Sequence, residues 1–287
     1  MRSRLLVWAQ HLLPQRLLGR CVYHLARCTW PAVRTPLIRW FVRHYAVKLD
    51  DAQRPRCEDY ASFNDFFTRA LRPGARPIAA GDTTLVAAAD GRVTEFGTAV
   101  DGRALQAKGM PYALEELLGS LPGAGVQVAQ GDFATIYLAP YDYHRVHLPL
   151  AGTLTFARYI PGKRFSVNAA TSHAIPRLFC RNERLILWFD THAGPMAVVL
   201  VGALNVASLA TPWLGEVASG QPLTWDHSAL AAGSLERGAE IGRFNLGSTV
   251  ITVMPPGSTR WDRDLAPGTS VRMGQALGSI ARYASPD

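Results

Sequence analysis

The sequence predicts an α+β protein, with basic amphipathic N-terminal helices followed by a β-rich body of mostly antiparallel, sandwich- or barrel-like character. Two observations carry that expectation. Residues 1–49 contain eight arginines and one lysine but no aspartate or glutamate, interleaved with leucines, tryptophans and a phenylalanine. Beyond about residue 80 the texture changes to short apolar runs separated by glycine and proline, as at 134–138, 185–189, 196–201 and 249–254. A chain of 287 residues, 48% of them hydrophobic, can hold one substantial core and an accessory region.

In the N-terminal region the apolar positions 5, 6, 8, 12, 13, 17 and 18 recur at near-helical spacing, punctuated by Pro14 and Pro31. No uninterrupted apolar stretch reaches the roughly 18 residues of a spanning helix. Arginines and Pro14 also interrupt what would be the core of a signal peptide. The reading that follows is a set of helices lying in a membrane interface, arginines on anionic headgroups and Trp8, Trp30 and Trp40 at the boundary. Docking of the same helices on the protein's own core is the alternative. Ser62 to Leu71 reads as a helix, with Ser62 and Asp65 at capping-box spacing. The stretch from Arg72 to Ala79, carrying Pro73 and Pro77, reads as a linker, and a short helix is expected after Tyr112 through Leu114, Glu115 and Leu118. The expected division is a helical membrane-docking region over 1–72 and a β-rich catalytic domain over 80–287.

A net charge of +8 and a pI of about 9.6 invite a nucleic-acid partner, but no recognised nucleic-acid module is present and none is expected. Cys21, Cys28, Cys57 and Cys180 lack C-x-x-C spacing, which favours free thiols in a reducing compartment.

The segment with the most chemistry is Leu246-Gly247-Ser248-Thr249, set inside the apolar run Phe244 to Val253. A glycine there leaves its carbonyl open to attack by the next residue's hydroxyl, although a β-bulge with a buried hydroxyl fits the same residues. Gly257-Ser258-Thr259 repeats the triplet ten residues on. Upstream, His144 and His147 stand three residues apart near an expected strand end, and Asp90 precedes Gly91 at a turn. An acid, an imidazole and a hydroxyl are the groups that serine activation needs. Each also has a structural reading, as turn or hydrogen-bonding residues. No metal is expected, because two histidines without a cysteine or carboxylate cluster fall short of a usual ligand set. His173, His192, His227, Asp142 and Asp190 read as structural or turn residues.

Several segments in order resemble the bacterial-type phosphatidylserine decarboxylases. They are 63–67, Arg76-Pro77-Ile78, Ala89-Asp90-Gly91, 106–109, 142–147, 165–168, 181–184, 194–196, 201–203 and 242–249. Ser248, with its Phe-x-Leu-Gly-Ser-Thr-Val context, matches the processing serine of that family, and Ser258 does not. The resemblance implies self-cleavage at Gly247-Ser248 into a β chain 1–247 and an α chain 248–287, which stay associated. It implies that Asp90 orients His147, that His147 deprotonates Ser248, and that Ser248 becomes a pyruvoyl cofactor. That group would form a Schiff base with the amine of phosphatidylserine and act as the electron sink, yielding phosphatidylethanolamine and carbon dioxide. His144 is the candidate proton donor to the α-carbon. The location implied is peripheral, on the cytoplasmic face of the cell membrane, with phosphatidylserine in an anionic bilayer as partner; a homodimer is allowed but not specified. A pyridoxal enzyme is a poor rival, since the only lysines are Lys48, Lys108 and Lys163. A membrane-associated serine hydrolase using the same trio is the alternative, though the chain has no G-x-S-x-G elbow.

Overall fold

The apolar runs become the middle of one large antiparallel sheet. The computed structural model describes residues 15–106, 110–119, 128–167, 169–172, 174–203, 208–230, 232–245 and 248–281. Expectations about residues 1–14, 107–109, 173 and Leu246-Gly247 therefore lie outside the described residues. In chain order the strands are β1 (Thr84–Val86), β2 (Gly91–Thr98), β3 (Arg103–Gln106), β4 (Met110–Ala113), β5 (Asp132–Leu138), β6 (Arg145–His147), β7 (Gly152–Ile160), β8 (Arg184–Thr191) and β9 (Gly194–Gly202). They continue with β10 (Leu209–Thr211), β11 (Gly215–Val217), β12 (Leu223–Asp226), β13 (Ser234–Leu235), β14 (Glu240–Phe244), β15 (Ser248–Met254), β16 (Thr259–Trp261), β17 (Ser270–Val271) and β18 (Ala276–Ile280).

The nine-stranded sheet runs β12-β7-β8-β9-β15-β5-β2-β17, with β13 also on β7. Smaller sheets β11-β10-β14-β6, β1-β18-β16 and β3-β4 accompany it. Strand β15 sits in the interior of the large sheet and all seven of its residues are buried, which is why its sequence is a continuous run and not an apolar–polar alternation. β2 packs tightly on β5: a Cβ at Gly91 would stand 2.3 Å from the Tyr137 carbonyl oxygen, so only glycine fits beside Asp90.

Helices α1 (Gln15–Ala26) and α2 (Pro31–Tyr45) precede α3 (Phe63–Phe67), with α4 (Leu114–Leu118) where a short helix is expected. Pro31 opens α2, where its missing N–H is not needed. Helix α3 is shorter than the expected 62–71. Ser62 caps it by accepting from the Asp65 N–H at 3.1 Å, but Thr68 turns its hydroxyl back on the Asn64 carbonyl and Leu71 leaves to bridge Ala52. Ala26, Ile38 and Phe41 are buried with Tyr60, Phe63, Phe66 and Phe67 in a second apolar cluster. Phe41 stands 5.1 Å from Phe63 and 5.9 Å from Phe66, edge to face. The helices thus dock one side on their own chain while Trp30 (66% exposed), Trp40 (54%) and Leu25 (51%) face outward. Among the described residues no helix is long and apolar enough to cross a membrane.

Phe66 touches both α2 and the Tyr60 ring, so Phe66→Ala is expected to cost about 3–5 kcal/mol of stability. Urea denaturation followed by tryptophan fluorescence checks it, and an unchanged midpoint would mean the helices do not depend on this cluster.

Candidate active site

Ser248 is the first residue of β15, opposite Leu138 of β5 and Gly202 of β9. It is 1% exposed, and its Oγ has no hydrogen-bond partner among the described residues. A buried hydroxyl left without a partner costs about 1–3 kcal/mol, so its presence calls for a reason. Ser258, in the repeated triplet, differs: its Oγ donates to the Pro255 carbonyl at 2.7 Å in a tight turn. The surroundings of Ser248 are held firmly. Asn182 Nδ2 donates to the Gly202 carbonyl at 2.8 Å, and upstream Asn245 donates from Nδ2 to Ser208 Oγ at 2.7 Å and accepts from Asn64 Nδ2 at 3.1 Å.

His144 immediately precedes β6 and His147 ends it, and β6 pairs with β14. The Phe244 N–H donates to the His144 carbonyl at 3.0 Å, tying His144 to the strand that leads towards Ser248. The His144 ring is fully buried, 4.0 Å from the Phe67 ring centroid. Its Nδ1 lies 2.9 Å from the Asp142 carbonyl, which can only accept, so Nδ1 carries the proton and Nε2 is a lone pair with no partner among the described residues. Burial, reinforced by the Arg69 charge, pushes His144 down to about 3. At neutral pH this imidazole is uncharged and must accept a proton at Nε2 before it can donate one there.

His147 is arranged the same way. Nδ1 faces the Gly238 carbonyl at 2.8 Å, and Nε2 accepts from the Tyr143 hydroxyl at 3.0 Å. Burial lowers its proton affinity, opposed first by the Gly238 carbonyl, then by the Glu240 charge and least by that of Asp90. Asp90 makes no hydrogen bond to the ring. Arg76 holds it through Nε, 2.9 and 3.0 Å from its two oxygens, and through Nη2 at 2.6 Å, while the Met273 N–H adds a bond at 2.9 Å. The orientation expected from Asp90 is instead supplied by the Gly238 carbonyl, because the carboxylate is claimed by a guanidinium. The two residues are still neighbours through the backbone, since the His147 N–H donates to the Ala88 carbonyl at 2.8 Å. Neither ring nitrogen of His147 reaches Ser248 in this arrangement.

Beside these groups lies a cleft of about 470 Å³, lined among others by Arg69, Arg76, Asp90, Arg92, Asp142 and Tyr143. Asp142 is the turn residue the sequence suggests, accepting from the Ala139 N–H at 2.7 Å, but burial and the Asp90 charge push it up to about 6. Sequence reasoning missed Tyr143 and Arg76. A tyrosine four residues before His147, and an arginine in the Arg76-Pro77-Ile78 segment, were the available signals.

The family described as phosphatidylserine decarboxylase matches residues 63–279, and one described as PSD matches residues 5–46. The chain belongs to the phosphatidylserine decarboxylase family. Relatives of this family, each called phosphatidylserine decarboxylase proenzyme, align along nearly its whole length. That of Pseudomonas fluorescens is 47% identical over 97% of this chain and 98% of its own. The Stutzerimonas stutzeri relative is 45% identical, covering 98% of this chain and 96% of the relative, and that of Marinobacter nauticus is 44% identical, covering 98% and 99%. Membership makes the chain an enzyme of this family and leaves the serine hydrolase alternative without support.

The buried neutral imidazole of His144 makes stability depend on pH. Its proton affinity in the folded protein lies near 3 against about 6.5 unfolded, so only the unfolded chain gains a proton between those values. The stabilisation is complete above about pH 6.5 and is lost as pH falls towards 3. Acidifying from pH 7 to 5 should cost the wild type about 2 kcal/mol more than His144→Gln, measured by urea denaturation at both pH values; equal losses would contradict the assignment.

Proposed function

We propose that this chain cleaves itself at Gly247-Ser248, that Ser248 becomes a pyruvoyl group, and that the matured enzyme decarboxylates phosphatidylserine to phosphatidylethanolamine and carbon dioxide. The observation that carries the reading is the buried, unpartnered Oγ of Ser248 at the head of an interior strand, against the bonded Oγ of Ser258. A hydroxyl with no competing acceptor is available as a nucleophile, and it fits conversion into a carbonyl group that must itself be free to react.

In the proposed sequence Ser248 Oγ attacks the Gly247 carbonyl carbon, its proton passes to His147 Nε2, and the amide C–N bond breaks as the nitrogen is protonated. The product is an ester of Gly247 on the serine oxygen. Loss of the Ser248 α-proton with cleavage of the Cβ–O bond then frees the β chain with a terminal carboxylate. Hydrolysis of the remaining dehydroalanine consumes water and releases ammonia. Tyr143 currently occupies His147 Nε2 and must turn aside or relay the proton. The Gly238 carbonyl and the Glu240 charge favour the charged imidazole, and Asp90, fixed by Arg76, adds a smaller pull of the same sign. The pyruvoyl carbonyl supplies the sink for the electron pair left by carbon dioxide. His144 Nε2, a buried lone pair on a ring whose Nδ1–H is held by the Asp142 carbonyl, is the group assigned to accept a proton and return it to the α-carbon.

The proposed location is the cytoplasmic face of the cell membrane, with α1 and α2 lying in the interface. Trp30, Trp40 and Leu25 facing outward on an arginine-rich region support it.

Mass spectrometry of the purified protein should find residues 1–247 and 248–287 as separate chains, the smaller with a blocked, pyruvoyl-containing terminus. Ser248→Ala should remain intact and inactive; cleavage of that variant at the same bond would overturn the mechanism. His147→Ala should slow processing by roughly 10²–10⁴-fold, the usual contribution of a general base. Asp90→Asn should slow it less, and full-speed maturation of His147→Ala in a time course would remove His147 from the role.

A further inference from the structure

Arg69, just past α3, is 4% exposed and lines the cleft, yet among the described residues no carboxylate lies within ion-pair distance of it. Half-buried Arg76 and buried Arg184 are provided for. Arg76 is paired with Asp51 and Asp90, and Arg184 spends Nε, Nη1 and Nη2 on four backbone carbonyls. Arg69 makes only two hydrogen bonds among the described residues, both from Nη2, to the carbonyls of Tyr141 at 3.1 Å and Asp142 at 3.3 Å. Its Nε has no partner there. The guanidinium also lies over the Phe66 ring, 5.5 Å from its centroid, but a ring face does not satisfy N–H donors, and a buried cation with an unpaired Nε is costly unless an anion arrives. Lys48, Arg92 and Arg272 stand exposed around the same cleft, while Asp51 and Asp90 are engaged by Arg76. The cleft therefore carries positive charge that its own carboxylates do not offset.

The Asp142 carbonyl that accepts from Arg69 also accepts from His144 Nδ1, so the two side chains meet on one oxygen. An anion on Arg69 would lie beside the imidazole assigned to proton transfer. The substrate headgroup offers two anions, a carboxylate and a phosphodiester. Negative charge leaves the carboxylate as carbon dioxide forms, so a cation fixed on it would stabilise the ground state more than the transition state and slow the reaction. The phosphodiester keeps its charge throughout, and a cation there binds both states alike. On the decarboxylase reading above, we propose that Arg69, with Arg92 and Arg272 at the cleft mouth, forms the subsite for the substrate's phosphodiester.

Wild type, Arg69→Gln and the double variant Arg92→Gln/Arg272→Gln are compared with phosphatidylserine in neutral detergent micelles, after mass spectrometry has established the extent of processing. Arg69→Gln should raise KM roughly 10-fold or more with kcat within about twofold, the pattern of lost uniform binding. Calorimetry with glycerophosphoethanolamine, inorganic phosphate and free serine gives a second readout that does not need a matured enzyme. Wild type should bind glycerophosphoethanolamine, and Arg69→Gln should lose that binding while its weak response to serine is unchanged. The double variant, altered only at exposed positions, should weaken the same binding several-fold if Arg69→Gln fails to fold. Unprocessed wild type that still binds the phosphodiester would sink the maturation reading and leave the subsite standing. Unchanged KM and phosphodiester binding in the variants, selective loss of serine binding, or preference for inorganic phosphate would each overturn the subsite.

Discussion

Strand β15 is held on both edges, by β5 along its whole length and by β9 from Ser248 to Val253, and that double pairing fixes where Ser248 stands. A residue at the start of an interior strand has its backbone positioned by neighbours on two sides, and its side chain is denied water. Gly202 and Asn182 on one flank and Asn245 and Ser208 before the strand extend the same restraint. The unpartnered hydroxyl is then a product of the fold: the ladder fixes the chain, and no acceptor among the described residues is placed to quiet the oxygen.

The histidines are governed by a related constraint. Both are buried, both give Nδ1–H to a backbone carbonyl, and both therefore present Nε2 as a lone pair. Backbone carbonyls cannot donate, so the tautomer is set without a carboxylate at either ring. That leaves Asp90 to satisfy Arg76, and the Asp90–Arg76–Asp51 chain of charges becomes a wall of the cleft. Asp90 and His147 remain neighbours through the Ala88–His147 backbone bond.

The N-terminal helices dock on their own chain and still leave large apolar side chains outside. Ile38 and Phe41 fill an aromatic cluster with residues 60–67, which turns one side of α2 inward, while Trp30 and Trp40 are left outside. The same cluster places Phe67 against His144 and sets Arg69 in the cleft wall, so the helical region also shapes the chemical centre.

Fold class, the four continuous apolar strands β5, β8, β9 and β15, the Ser62 cap and the difference in setting between Ser248 and Ser258 were legible in the sequence. Each depends on local pattern: continuous apolar runs, capping spacing, or the residues flanking one glycine. The truncation of α3 at Phe67 was not legible, because Leu71 is drawn away by Ala52, about twenty residues earlier in the chain. Nor was the partner of Asp90, since Arg76 and the turn it binds are brought together only by the packing of β1, β2 and the 72–79 segment. Sequence alone determined the family and named the candidate residues. Tertiary structure decided their partners and protonation states, because those depend on burial and on carbonyls, such as Gly238 and Asp142, whose positions come from the backbone fold and not from side-chain identity.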